Sequence, residues 1–130
     1  MIVIDTSAMV EALVGRAPGD ELLDALTGDV AAPYLLDVEV VSVLRGLLLG
    51  RKITPGTADE ARRDHFAFTI VRHEFEPLAD RVWALRDRFT AYDAWYLALA
   101  EALECPLYTC DAKLAGSGHQ ADVRVLARTH

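Results

Sequence analysis

The sequence predicts an α/β fold in which a mostly parallel sheet of about five strands carries helices on both faces. Short apolar runs typical of buried strands alternate with longer segments whose apolar residues recur at helical spacing. The resulting order, βαα-βαα-βαα-βαβ, is typical of parallel strands joined by helical crossovers. A length of 130 residues suffices for one such unit. We therefore expect a single domain over residues 1–130.

The first strand ends at an acidic residue. Ile2, Val3 and Ile4 are apolar and β-branched, which predicts a short strand buried on both faces. Asp5 follows directly, and ligands of open α/β sheets gather beyond the carboxyl ends of the strands. Asp5 also precedes a predicted helix, Thr6–Leu13, whose first backbone N–H groups it could cap. The local sequence leaves both roles open.

The next elements complete the first βαα unit and begin the second. The loop at 15–19 contains Pro18, which suits the start of a helix, and apolar residues at helical spacing predict that helix over 20–26. Gly28 ends it. The apolar run Val30–Ala32 then predicts the second strand of the sheet.

The segment 34–49 predicts a helix that is apolar around nearly its whole circumference, and such a helix is buried on all sides. In so small a chain, we expect one side to contact the sheet and the other a second subunit or a partner, with Val43 and Leu47 as candidate contacts. Glu39 is isolated in this helix beside the small residues Ser42 and Gly46. A carboxylate among valines is costly unless a partner pairs with it.

Proline and threonine punctuate the third unit. Thr54 and Pro55 form an N-cap and first helical position for a polar helix through Arg63. The alternating run Phe66–Val71 predicts the third strand, and another helix follows over 78–89. Two histidines, His65 and His73, flank that strand, and we interpret both as surface residues.

The last unit contains two more acidic residues at informative positions. Thr90 and Asp93 form a variant capping box at the start of a helix that runs to Leu103. Leu107–Thr109 predicts the fourth strand, and Asp111 lies just past its end, as Asp5 lies past the first. A helical turn at 113–115 and a final strand at 123–126 complete the pattern.

Composition restricts the class of protein. The net charge of −7 argues against a protein that holds nucleic acid by a generally basic surface. No apolar run is long enough to span a membrane, and no signal peptide is evident, so we expect a cytoplasmic protein without a membrane partner. Cys105 and Cys110 are best interpreted as small core thiols rather than as a disulfide or zinc site.

Four acidic residues, Asp5, Glu39, Asp93 and Asp111, indicate more as a set than each does alone. Right-handed crossovers direct at least three of them toward a common crevice. Carboxylates ~5 Å apart would repel by about 3 kcal/mol per pair at an effective dielectric near 20, so bound cations or raised pKa values are required. Oxygen ligands favour Mg²⁺ or Mn²⁺ over Zn²⁺, and such ions suit phosphodiester hydrolysis.

These acids lie in motifs whose order and spacing resemble the PIN-domain ribonucleases, specifically the VapC-type toxins of bacterial toxin–antitoxin pairs. The motifs are Ile4-Asp-Thr-Ser7, Glu39-Val-Val-Ser-Val-Leu-Arg45, Thr90-Ala-Tyr-Asp-Ala-Trp-Tyr-Leu-Ala-Leu-Ala-Glu101 and Leu107-Tyr-Thr-Cys-Asp111. The resemblance implies a three-layer α/β/α sandwich with a Mg²⁺ or Mn²⁺ site. The implied ligands and catalytic residues are the four acids, with Ser7 and Thr109 as supporting hydroxyls.

The resemblance also implies endoribonuclease activity, homodimerisation and inhibition by a small cognate VapB-type antitoxin in a heterotetramer or larger complex. The acidic surface leaves open how RNA is held. The candidate basic residues are Arg45, Arg51, Lys52, Arg86, Arg88 and Lys113.

Two other functions remain open from the residues alone. An acidic Mg²⁺-binding pocket also occurs in phospho-receiver signalling modules, although the first strand here offers one acid where such modules keep a pair. The apolar helix 34–49 would suit a partner-binding domain without catalysis.

Overall fold

The structure, a computed structural model that describes residues 1–130, contains a five-stranded sheet in which every pairing is parallel. The strands are β1 Ile2–Ile4, β2 Val30–Pro33, β3 Ile70–His73, β4 Leu107–Thr109 and β5 Val123–Val125. Their order across the sheet is β3-β2-β1-β4-β5. The chain therefore winds outward from β1 in one direction and from β4 in the other. Ligands of open α/β sheets bind at such a switch point.

Six helices cover the sheet, which confirms the predicted α/β/α class. They are α1 Thr6–Val14, α2 Asp20–Ala25, α3 Leu35–Leu49, α4 Pro55–Ala67, α5 Ala79–Ala84 and α6 Ala91–Leu103. Helix α6 packs across β1, β2 and β4, with α5 against it, whereas α1, α3 and α4 pack on one another. None of these helices combines the length and the apolar character that crossing a membrane requires.

The core lies at the centre of the sheet and fixes the carboxyl ends of β1 and β4. Val3 pairs with Leu107, and Ile4 pairs with Tyr108. Val3, Ile4 and Leu107 have no exposed surface. Leu97 of α6 is also fully buried in the same cluster. The residues that follow β1 and β4 are therefore held by the best-packed part of the molecule.

The third strand begins later than predicted. Helix α4 continues to Ala67, and Phe66, predicted to lie in the strand, is instead a largely exposed helical residue. Strand β3 is Ile70–His73. Phe66 and Phe68 are two residues apart at the end of a helix, and this spacing is the same as the alternation expected for a strand.

The interpretation of His65 as a surface residue was wrong. Its side chain is fully buried, and its Nε2 lies 2.7 Å from Oδ1 of Asp37 in α3. Arg72 of β3 donates to the same carboxylate. This pairing stabilises the contact between α3 and α4, and the separation of 28 residues between His65 and Asp37 hid it from local sequence patterns.

Within the single chain, α3 is buried along one face only, and the expected contact of its other face with a second subunit or a partner stays a prediction. Only Leu36, Val40 and Leu44 of α3 are buried. Most of its contacts are with α1 and α4 rather than with the sheet.

The helix predicted over 78–89 is shorter in the structure. A 3-10 turn at Glu76–Leu78 precedes α5, and the residues at 85–88 form turns.

Candidate active site

A cavity of about 270 Å³ opens at the switch point between β1 and β4. Asp5, Glu39, Asp93 and Asp111 all line it, together with Ser7. The four acids come from the ends of two strands, from α3 and from the first turn of α6. The structure thus brings together every acid that the sequence singled out.

Asp5 is the most buried of these acids, with 6% of its surface exposed. It is the N-cap of α1, and its Oδ1 accepts the backbone N–H of Ala8 at 3.0 Å. Ser7 donates its hydroxyl to Oδ1 at 2.8 Å, and Thr109 donates to Oδ2 at 2.5 Å. The carboxylate therefore caps the helix and also faces the cavity.

The two hydroxyls that hold Asp5 are themselves fixed by the end of β4. Thr109 Oγ1 accepts the backbone N–H of Asp111 at 2.9 Å. Ser7 Oγ accepts the backbone N–H of Cys110 at 2.8 Å. Because an ionised carboxylate can only accept, each hydroxyl donates its own proton to Asp5. Ser7 and Thr109 therefore both contact the Asp5 carboxylate, and their supporting role in the site stays a prediction.

Burial raises the pKa of Asp5 from 3.8 to about 6. The hydrogen bonds from Thr109, Ala8 and Ser7 act in the opposite direction, and the nearby charge of Asp111 adds to the rise. A carboxyl group with a raised pKa in a cavity is a common mark of a functional site. A cation beside Asp5 would favour its ionised form.

The raised pKa predicts a pH-dependent difference in stability between the metal-free wild type and Asp5→Asn. Between the unfolded value of 3.8 and the folded value of about 6, the native wild type binds more protons than the unfolded chain, so its stability falls as pH rises. Asparagine has no such titration. The unfolding free energy of Asp5→Asn relative to wild type should therefore rise by about 3 kcal/mol across this window. Urea unfolding in a chelator measures it, and a pH-independent difference would contradict the assignment.

Glu39 is held by two hydroxyls that the sequence did not single out. Its Oε1 accepts Thr6 Oγ1 at 2.8 Å and the Tyr96 hydroxyl at 2.7 Å. Burial raises the pKa of Tyr96, and the charge of Glu39 adds to the effect, so Tyr96 remains a donor. Oε2 of Glu39 has no hydrogen-bond partner. The carboxylate that appeared isolated in the sequence is thus oriented from one side and free on the other.

Asp93 is half-buried and does not complete a capping box. Thr90 Oγ1 accepts the backbone N–H of Asp93 at 3.3 Å, but no hydrogen bond returns from the Asp93 side chain. Instead, Asp93 Oδ2 lies 3.3 Å from Nζ of Lys113, which also lies 3.4 Å from Oδ2 of Asp111. Lys113 thus places a positive charge between two of the four acids.

The cavity has the donor chemistry of a divalent-metal site, but its side chains do not form one in the present arrangement. No group of three or more His, Cys, Asp or Glu residues is arranged to hold an ion. The four carboxylates are all-oxygen donors of the kind that Mg²⁺ and Mn²⁺ prefer. The Lys113 ammonium marks a position that favours a cation, and its side chain is 66% exposed. The chemistry of these side chains therefore fits a divalent ion.

The basic residues that line the cavity are not among the six named as candidates for holding RNA, and those six stay candidates. Of the six candidates, Lys113 alone pairs with a cavity acid, and none of the six lines the cavity. The cavity contains Arg128 and His130 instead. Sequence reasoning missed both because they follow the last strand and lie in no motif.

The fold and the cavity define a class of protein: a parallel α/β/α domain with a carboxylate-lined site at the switch point of its sheet. A profile of the PIN domain family matches residues 2–117. Ribonuclease VapC9 of Mycobacterium tuberculosis is 35% identical over 129 residues, covering 98% of this chain and 100% of the relative. Ribonuclease VapC1 of the same organism is 39% identical over 119 residues, covering 88% and 89%. The chain belongs to the PIN domain family and, within it, to the VapC ribonucleases.

Solved structures agree on the fold. A toxin–antitoxin complex from Klebsiella pneumoniae contains a chain that matches with a TM-score of 0.65 and 21% identity, covering 95% of this chain and 96% of that one. VapC20 of Mycobacterium tuberculosis, described as a Sarcin-Ricin loop cleaving toxin, matches with a TM-score of 0.64 and 17% identity, covering 92% and 97%.

Proposed function

We propose that this chain is the toxin of a type II toxin–antitoxin pair and a divalent-metal-dependent endoribonuclease. The observation that carries the proposal is the convergence of four carboxylates on one cavity at the switch point of the sheet. Membership of the VapC ribonucleases supports RNA as the substrate. These relatives do not favour a phospho-receiver module or a partner-binding domain without catalysis.

Asp5, Glu39, Asp93 and Asp111 would hold Mg²⁺ or Mn²⁺. When bound, such an ion supplies a nucleophilic hydroxide at neutral pH and stabilises the charge that develops on phosphate oxygens. The chain itself supplies orientation. Ser7, in the first turn of α1, and Thr109, at the end of β4, hold the Asp5 carboxylate, so its position does not depend on the ion.

Glu39 is prepared in the same way from the other side of the cavity. Thr6 and Tyr96 both donate to Oε1 and leave Oε2 available to a ligand. Tyr96 is 2% exposed and lines the cavity. The Lys113 ammonium balances the charges of Asp93 and Asp111.

The test of the function is RNA cleavage by the purified chain. We expect cleavage of a labelled single-stranded or looped RNA in Mg²⁺ or Mn²⁺, and loss of cleavage in excess chelator. Cleavage that persists in the chelator would contradict metal dependence. No cleavage with either ion, by a folded protein, would contradict the ribonuclease assignment.

The exposed face of α3 fits the proposed homodimer and antitoxin contacts. Val38, Val41 and Leu49 are 69%, 47% and 63% exposed, and Tyr34 precedes them on the same side. By contrast, Val43 is less exposed, at 37%, and lines the cavity, and Leu47 packs on the core, so Val38 is the clearer position at which to test this face. Contiguous apolar side chains of this kind are typical of protein interfaces.

The substitution Val38→Asp is therefore expected to weaken self-association while leaving the fold intact. The side chain is exposed, so the unfolding free energy of the monomer should change by less than about 0.5 kcal/mol. Analytical ultracentrifugation measures the dimer, and Leu23→Asp, at an exposed position of α2, is the matched control. A Val38→Asp protein that dimerises like this control would place the interface elsewhere.

A further inference from the structure

The segment that follows β5 returns to the acidic cavity. Leu126 donates its backbone N–H to the carbonyl of Thr109 at 2.7 Å, so the segment starts beside the end of β4. It then crosses toward α1, and Arg128 and His130 line the cavity. Residues 126–130 therefore form part of the wall of the site, although they contain none of its motifs. We call them the tail segment.

Glu11 of α1 fastens this tail segment. Glu11 is 1% exposed, although its side chain is charged and the rest of α1 is mostly apolar. Its carboxylate accepts the Thr129 backbone N–H at 2.6 Å, the Thr129 hydroxyl, and Nδ1–H of His130 at 2.9 Å. The Glu11 carboxylate makes all of its hydrogen bonds to two adjacent residues and therefore holds them in place. We call this contact the latch.

The surroundings of Glu11 are shaped for this contact. Gly15 leaves room for the carboxylate, since a Cβ there would lie 2.4 Å from Oε2 of Glu11. The backbone N–H groups of Arg16 and Ala17 donate to the Thr129 carbonyl at 3.3 Å and to the Thr129 hydroxyl at 3.0 Å. Burial acts to raise the pKa of Glu11, but the bonds from Thr129 and His130 lower it overall, so the latch is anionic at neutral pH.

The latch holds one particular charge at the cavity. Arg128 is exposed, and it is the single arginine or lysine among the residues that line the cavity. Its guanidinium makes no hydrogen bond or ion pair, whereas Lys113 is paired with both Asp93 and Asp111. An unpaired guanidinium beside a carboxylate-lined site is available to an anion, and its planar donors match a phosphate group.

We propose that Arg128 binds an RNA phosphate at the mouth of the cavity, and that Glu11 is the positioning residue that holds it there through Thr129. The inference rests on the proposed ribonuclease function and extends it. It explains how a chain with a net charge of −7 holds a polyanion next to four carboxylates. The positive charge comes from the tail segment rather than from the surface as a whole.

The test is single-turnover cleavage of a fluorescein-labelled single-stranded RNA in Mn²⁺, with the protein in excess. The half-saturating protein concentration reports binding, and the plateau rate reports chemistry. Arg128→Gln is expected to raise the half-saturating concentration about tenfold, as for the loss of one charged hydrogen bond. The plateau rate should change much less. Arg63→Gln, an exposed arginine of α4 outside the cavity, is the matched control.

The salt dependence of RNA binding would not change if Arg128 had only a structural role, so it tests the phosphate contact separately. Each phosphate contact on a single strand contributes about 0.7 to the slope of log affinity against log salt concentration. Arg128→Gln should therefore reduce that slope by about 0.7 relative to wild type, and Arg63→Gln should not. Thr129→Val weakens the latch and should shift the half-saturating concentration in the same direction, more than Thr129→Ser, which keeps the hydroxyl.

The outcomes separate the two proposals. Cleavage by wild type with equal half-saturating concentrations and slopes in Arg128→Gln and Arg63→Gln would overturn this inference alone. A lower plateau rate in Arg128→Gln with unchanged binding would also overturn it, because Arg128 would then act in the chemistry. An absence of cleavage by folded wild type would overturn the proposed function and the inference with it.

Discussion

Asp5→Asn should lower RNA cleavage by at least about 100-fold while the protein remains folded. Asparagine keeps the shape of the side chain and can still accept the Ala8 N–H that caps α1. It removes the negative charge that would hold a divalent ion. A loss of 100-fold corresponds to about 2.7 kcal/mol of transition-state stabilisation, within the range expected for a metal-centred electrostatic effect.

The measurement is the cleavage rate of one RNA in Mg²⁺ or Mn²⁺, with circular dichroism as the check on folding. Asp87→Asn is the matched control, because Asp87 is exposed and lies outside the cavity. Equal rates in wild type and Asp5→Asn would show that Asp5 is only a helix cap.

Asp93→Asn should separate activity from stability. We expect a loss of cleavage of about 100-fold or more, with a change of less than about 1 kcal/mol in the free energy of unfolding. The physical reason is that Thr90, not the Asp93 side chain, makes the capping hydrogen bond of α6. Asp93 faces the cavity and pairs only with the exposed Lys113.

Thr90→Ala provides the opposite substitution in the same turn. Loss of its cap should cost about 1 kcal/mol of stability and leave cleavage within a few-fold of wild type. Urea unfolding and the RNA assay, applied to both variants, measure the two effects. If Asp93→Asn were destabilised like Thr90→Ala and still cleaved RNA, its assignment to the site would be wrong.

The fold and the acids of the site were predictable because their signals are local. Buried parallel strands are short apolar runs, and the acids that follow two of them lie where such sheets bind ligands. The order of the strands then brings Asp5 and Asp111 together, since β1 and β4 are neighbours. Glu39 was visible because a lone carboxylate in an apolar helix is costly.

What the sequence did not reveal depends on pairs of residues that are far apart along the chain. Tyr96 orients Glu39 across 57 residues, and Thr129 meets Glu11 across 118. His65 is buried because Asp37, 28 residues away, satisfies it. No periodicity of a single helix or strand contains such information. The positions of Arg128 and of the polar partners around the acids therefore emerge only from the assembled fold.

Isothermal calorimetry with Mn²⁺ measures whether the four carboxylates bind a divalent cation. We predict that wild type binds Mn²⁺ and that Asp5→Asn, with its fold confirmed, binds at least tenfold more weakly, while Asp87→Asn matches wild type. An absence of Mn²⁺ binding by wild type, or equal binding by wild type and Asp5→Asn, would show that these carboxylates are not a metal site.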